Sequence, residues 1–175
     1  MTVQIRPATA DDLASVAEIY AHYVRHSGAT FDLEPPTVEA WREKHALIAV
    51  REGLPFLVAE DGGEVLGYAY AAQYRPKAAY WHTVEDSIYL RPGAGGRGLG
   101  RLLLEALVAG VAAAGRREII AVIADHGDPS SVRLHERFGF RDAGRLHRVG
   151  CKNGVWLDTL QMQLSLEEDD AASAA

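Results

Sequence analysis

The chain has 175 residues, 48% hydrophobic and 24% charged, with a net charge of −6, which suits one domain with a buried core. The negative balance removes any general electrostatic reason to expect a nucleic-acid partner, and the apolar runs are too short and interrupted to span a bilayer. A single cysteine, Cys151, excludes an internal disulfide framework and fits a reducing, cytoplasmic setting, in keeping with an N-terminus that shows no signal-peptide pattern.

Residues 3–6 read as a short edge strand closed by Pro7. Thr9 is placed to cap a helix starting near Asp11, with Asp12 completing a capping box. Leu13, Val16, Ile19, Tyr20 and Tyr23 recur at helical spacing and define its buried face. His22 and His26 stand one turn apart, and two exposed histidines are expected there rather than a metal site. After a loop at 27–36, Thr37 caps a second helix running to about residue 50. Residues 56–60, 61–64 and 65–74 read as strand, tight turn and strand. Tyr68, Tyr70 and Tyr74, at even spacing, make one face of the second strand aromatic. A polar loop at 75–80 leads to a strand at 84–90. A glycine-rich elbow and a helix to about residue 114 follow, then a buried strand at 118–124 and a short helix at 130–138 ended by Gly139. Strands at 143–149 and 155–166 flank the turn Lys152-Asn153-Gly154. The alternation defines an α/β (α+β) fold with a mixed sheet over residues 1–166, and the acidic, alanine-rich stretch 167–175 reads as a disordered tail.

The elbow carries most information. Gly95, Gly96, Gly98 and Gly100 fall within six residues between a strand and a leucine-rich helix. Each glycine beyond the need of a turn costs about 0.5–1 kcal/mol, so the cluster argues for close approach to a ligand. Free N–H groups and a helix dipole aimed from such an elbow suit an anion. A dinucleotide fold would place these glycines after its first strand, with an acid about 20 positions on, and a P-loop would add Gly-Lys-Ser/Thr; neither pattern is met.

Here the chain resembles the GNAT superfamily of N-acetyltransferases. Its acetyl-CoA motif is Gln or Arg, two residues, Gly, one residue, and Gly or Ala; Gly98-Leu99-Gly100 matches the small positions, with Gly95 in place of Gln/Arg. The stretch Asp128-Pro129-Ser130-Ser131 through Leu134-His135-Glu136 to Gly139-Phe140 is similar to the superfamily's second motif, with Asp128 where Asn is usual. Residues 78–90, Thr30-Phe31-Asp32-Leu33-Glu34-Pro35, Ala121-Val122-Ile123 and residues 150–158 further resemble phosphinothricin and methionine sulfoximine N-acetyltransferases.

The resemblance implies a mostly antiparallel sheet splayed between its fourth and fifth strands, with acetyl-CoA as co-substrate and no metal. It implies that Gly95, Gly96, Arg97, Gly98, Leu99 and Gly100 wrap the pyrophosphate, that Ile88, Tyr89 and Leu90 meet the pantetheine arm, and that Asp128 and Ser131 lie beside it. The Leu90 N–H is the candidate for polarising the acetyl carbonyl. Glu85 is the candidate base for the substrate ammonium. His135 stands where many members carry a tyrosine acid, and can act as acid or base, or serve only to pack the helix. Phe31, Lys77, Tyr80 and Ser87 match positions lining an amino-acid pocket, with Lys77 and Arg75 offering charge to a carboxylate or phosphinate. Attack is direct, so Cys151 is not expected to be a nucleophile. The expected substrate is a small amino-acid-like amine bound by a homodimer, the loop bearing Lys152 and Trp156 closing the site. A peptide or protein N-terminus as substrate, and a non-catalytic acyl-CoA sensor, remain as alternatives.

Overall fold

A computed structural model describes residues 3–166; the tail expected at 167–175 lies outside them. The elements in chain order are β1 (Gln4–Pro7), α1 (Leu13–His26), α2 (Val38–His45), β2 (Phe56–Asp61), β3 (Glu64–Gln73), β4 (Thr83–Leu90), α3 (Leu99–Ala113), β5 (Glu118–Asp125), α4 (Ser130–Arg137), β6 (Arg141–Lys152) and β7 (Val155–Ser165). The strands form one sheet in the order β1-β2-β3-β4-β5-β7-β6. Among the described residues only the β4–β5 pair is parallel. The mixed, mostly antiparallel sheet read from the sequence is therefore present.

Local chemistry accounts for the punctuation. Thr9 N–H and Oγ1 both donate to Asp12, 2.7 and 3.0 Å away, which caps a single 3₁₀ turn before α1 begins. Thr37 Oγ1 accepts from Ala40 N–H at 3.1 Å and starts α2. Gly62 and Gly63 (φ +61° and +87°) and Asn153 and Gly154 (φ +51° and +78°) turn two hairpins with left-handed pairs that match strand twist.

Alternation along the strands sorts the core by face. Tyr68, Tyr70 and Tyr89 stack toward Tyr20 of α1 and Trp41 of α2, with ring centroids 5.1–6.3 Å apart. On the opposite face α3 buries Leu103, Leu104 and Leu107 completely, each contributing about 1.5–3 kcal/mol. Gly67 lets α3 come close: a Cβ there would stand 3.4 Å from Leu103 Cδ1 and 2.6 Å from Leu90 Cδ2.

Two elements depart from the sequence reading. The second helix stops being α-helical at His45 and widens into a π turn over Ala46–Arg51. Glu52 N–H reaches back to Leu47 O, and Ile48 turns inward while Val50 faces solvent. β6 is longer than the expected 143–149, because register shifts at Asp142/Gly144 and Leu146/Gly150 break the period-two pattern that marks a strand.

Candidate active site

β4 and β5 pair only from Thr83↔Glu118 to Asp86↔Ala121. Beyond Asp86, β4 stays on β3 through Leu90↔Gly67, and β5 stays on β7 through Asp125↔Asp158. The sheet thus forks. Arg91 N–H donates to Leu66 O and Tyr74 N–H to Thr83 O, so the odd-numbered residues of β4 direct their backbone groups to β3. The even-numbered residues Ile88 and Leu90 turn theirs into the fork. The Leu90 carbonyl there accepts from Tyr23 OH at 2.6 Å.

The fork opens into a cavity of about 820 Å³ that reaches from the loop before α2 to the glycine elbow. Gly95, Gly96 and Gly100 line it, together with Ile88, Tyr89 and Leu90. Gly96 and Gly98 need glycine for conformation, at φ +78° and +77°. Gly95 has no such requirement and nothing lies within 4 Å of where its Cβ would be. Gly98 is the N-cap of α3, whose first backbone N–H groups therefore open toward the elbow. A Cβ on Gly100 would stand 3.3 Å from Leu134 Cδ2, so this glycine admits α4 beside α3. Arg97 points away and pairs with Asp61 at 2.9 Å, and Leu99 is buried in the core.

At the apex of the fork the sequence reading missed a residue. Asp86 Oδ2 lies 2.9 Å from His135 Nε2, and Asp86 Oδ1 is buried with no partner among the described residues. His135 Nδ1 donates to Ser131 O at 2.7 Å. Burial pulls the imidazole pKa down, but the hydrogen bond and charge of Asp86 outweigh it and leave the value raised. Sequence spacing gives no sign of this pair, since 49 residues separate its members. Asp128 lines the cavity but both its oxygens accept from Ser130, at 2.9 Å, so it caps α4 and its pKa is lowered by those bonds. Ser131 lines the same wall.

Glu85, on the opposite face of β4 from Asp86, lines the cavity half-buried. Desolvation raises its pKa, Asp86 adds to the rise, and Lys44 and Arg75 oppose it. Lys44, not singled out from the sequence, donates to Tyr70 OH at 2.7 Å on the same face. Phe31 and Ser87 line the cavity. Arg75, Lys77 and Tyr80 stand on the exposed β3–β4 connection, outside the cavity lining, where Gln73 Nε2 ties down the Arg75 and Tyr80 carbonyls. Cys151 is exposed and outside the cavity. Lys152 is buried, its Nζ donating to Thr30 O at 2.8 Å.

A sheet forked at its parallel pair, with a glycine elbow and a helix N-terminus at the fork, is the architecture of an acetyltransferase. The Acetyltransferase (GNAT) family matches residues 15–140, and the chain belongs to it. Phosphinothricin N-acetyltransferase of Alcaligenes faecalis is 45% identical over 166 residues, 95% of this chain and 84% of that protein. The L-methionine sulfoximine/L-methionine sulfone acetyltransferase of Pseudomonas aeruginosa is 39% identical over 176 residues, 98% of this chain and 99% of that one. Among solved structures, a GNAT superfamily phosphinothricin acetyltransferase from Sinorhizobium meliloti in complex with AcCoA has a TM-score of 0.90 and 43% identity, covering 100% of this chain and 94% of that one. Among the described residues no helix is long and apolar enough to cross a membrane.

Proposed function

We propose that this enzyme transfers the acetyl group of acetyl-CoA to the amine of a small amino-acid-like substrate of the phosphinothricin, methionine sulfoximine or methionine sulfone type. The observation that carries the reading is the fork, which joins a ready anion cradle and a half-buried carboxylate in one cavity. The relatives' substrates and the complex of the Sinorhizobium meliloti enzyme support the choice of donor and acceptor.

The residues fit acetyl-CoA. The elbow from Gly95 to Gly100 and the start of α3 offer backbone N–H groups to a pyrophosphate. Ile88 and the Leu90 N–H offer strand backbone not paired with β5 to the amides of the pantetheine arm, the Leu90 carbonyl being taken by Tyr23 OH. When bound, acetyl-CoA supplies an acetyl group activated as a thioester. The Leu90 N–H, directed into the fork, is the donor for the acyl oxygen. Glu85 accepts the proton of the substrate ammonium, directly or through water, its raised pKa making it a better base. The Asp86–His135 pair holds a proton at the apex of the fork for the departing sulfur. Phe31 and Ser87 shape the amine side of the cavity, while Arg75, Lys77 and Tyr80 reach the substrate only if the β3–β4 connection closes over it.

The assembly is a homodimer in the cytoplasm. The β6–β7 hairpin leaves Leu146, Val149, Val155 and Trp156 between 47% and 57% exposed, apolar side chains on its two faces that a second copy would cover. The test of the chemistry is Glu85→Gln: release of CoA thiol with methionine sulfone falls by about 10²-fold or more, while acetyl-CoA affinity is unchanged. An unchanged rate removes Glu85 from the mechanism.

A further inference from the structure

The loop 27–36 lies on one face of the β6–β7 hairpin and is held there at three points. Gly150 and Leu157 are register partners, so their side chains share a face, and Lys152, two residues on, joins them. Leu157 meets Gly28, where a Cβ would come within 3.3 Å of Leu157 Cδ1 and 2.8 Å of His126 Cβ. Lys152 Nζ donates to Thr30 O at 2.8 Å. Gly150 takes the ring of Phe31: a Cβ there would stand 2.5 Å from Phe31 Cδ2, 2.8 Å from Cζ and closer still to Cε2.

Real Cβ atoms do not approach carbon that closely, so any side chain at 150 displaces the Phe31 ring. Gly150 has no left-handed φ. Left-handed strain therefore gives no reason for glycine there, and the ring does. Phe31 lines the cavity on the amine side, whereas Gly150 does not. Around it, Tyr20 OH bonds Thr30 Oγ1 at 2.5 Å and Asp32 Oδ2 at 2.7 Å, fixing the loop from the α1 side as well. With the loop held by Lys152 at the Thr30 carbonyl and by Tyr20 at the Thr30 and Asp32 side chains, the ring is the part that must move.

We infer that Gly150 is a specificity-determining position that acts through Phe31: it seats the ring in the cavity wall and so sets the space left for the amine substrate. The inference rests on the reading of this cavity as the amine site, and it names a residue outside the cavity lining.

The test compares wild type, Gly150→Ala, Phe31→Ala and the double variant, using methionine sulfone and longer and shorter amino-acid analogues. Gly150→Ala raises the amine KM by about tenfold and reorders the preference for side-chain length, with the acetyl-CoA KM within about twofold. In Phe31→Ala the added methyl group changes little, because the ring it would strike is gone. Urea unfolding gives a second readout that needs no turnover: Gly150→Ala lowers the midpoint in the presence of Phe31 and not in its absence. Additive midpoint shifts, or an amine KM unchanged in Gly150→Ala, overturn the inference. Failure of the wild type to acetylate any small amine would instead overturn the functional reading, and the unfolding cycle would still decide whether Gly150 seats Phe31.

Discussion

His135 Nε2 lies 2.9 Å from Asp86 Oδ2, and neither side chain is more than 4% exposed. Because Nδ1 donates to the Ser131 carbonyl, a proton on Nε2 makes the ring an imidazolium facing a buried carboxylate. The raised pKa sets the sign of the pH dependence. The pair's stabilisation is complete below the unfolded histidine value of about 6.5 and is lost as pH rises through the folded value. Asp86→Asn leaves the buried ring without its counter-charge and is expected to cost about 3 kcal/mol. Urea unfolding at pH 6 and pH 9 checks this, with the gap between wild type and variant narrowing at the higher pH.

Glu85 shows the opposite economy, in that burial disfavours its charged form. A carboxylate with a raised folded pKa supports the fold below its unfolded value and subtracts from it as pH rises through the folded one. Glu85→Gln should therefore raise the melting temperature at pH 7 and have little effect at pH 4. In the same protein, the acid limb of the kcat/KM profile lies above the ordinary glutamate value of about 4.3 and disappears in the variant. A variant that melts lower at pH 7 contradicts this account of the site.

The elbow glycines separate by mechanism. Gly98→Ala forces a side chain into a left-handed conformation at φ +77° and costs about 1–2 kcal/mol of stability. Gly95→Ala meets no protein atom within 4 Å, so the fold tolerates it, but the methyl group intrudes on the cradle and the acetyl-CoA Kd weakens. Calorimetric titration with acetyl-CoA beside thermal melting distinguishes the two.

Asp12 joins the capping turn to the edge strand. Arg6 holds its carboxylate through two hydrogen bonds of 2.7 and 2.8 Å, and this, ahead of the bonds from Thr9, lowers its pKa to about 2. The stabilisation is present above the unfolded value of about 3.9 and is lost as pH falls through the folded one. Asp12→Ala costs about 1–2 kcal/mol at pH 7, and acid unfolding of the variant should show a weaker dependence between pH 4 and pH 2.

Most of the fold was legible where a period or a turn signal was uninterrupted. Leu13, Val16 and Ile19 marked the buried face of α1, and Gly62-Gly63 and Asn153-Gly154 marked hairpins that the positive φ values explain. β6 was underestimated because its irregularities at Gly144 and Gly150 hide the alternation. In the candidate site, Glu85, Ser87, Gly95 and Gly100 were readable together because one strand–turn–helix carries them. Asp86 was not, since its partner His135 arrives on α4 from another part of the chain. The position of Arg75, Lys77 and Tyr80 outside the cavity lining was equally hidden, because no periodicity sets the course of a loop around Pro76. Gly150 stood only within the stretch 150–158 that carried the family resemblance, and nothing in that stretch signalled the approach of Phe31.

The measurement that bears most directly on the central reading is CoA thiol release from acetyl-CoA with a panel of methionine sulfone, methionine sulfoximine, phosphinothricin, polyamines and N-terminal peptides. The account predicts turnover with the small amino-acid analogues, an N-acetylated product by mass spectrometry, and little or none with peptides. Turnover confined to peptides, or none with any amine while acetyl-CoA still binds, would contradict it.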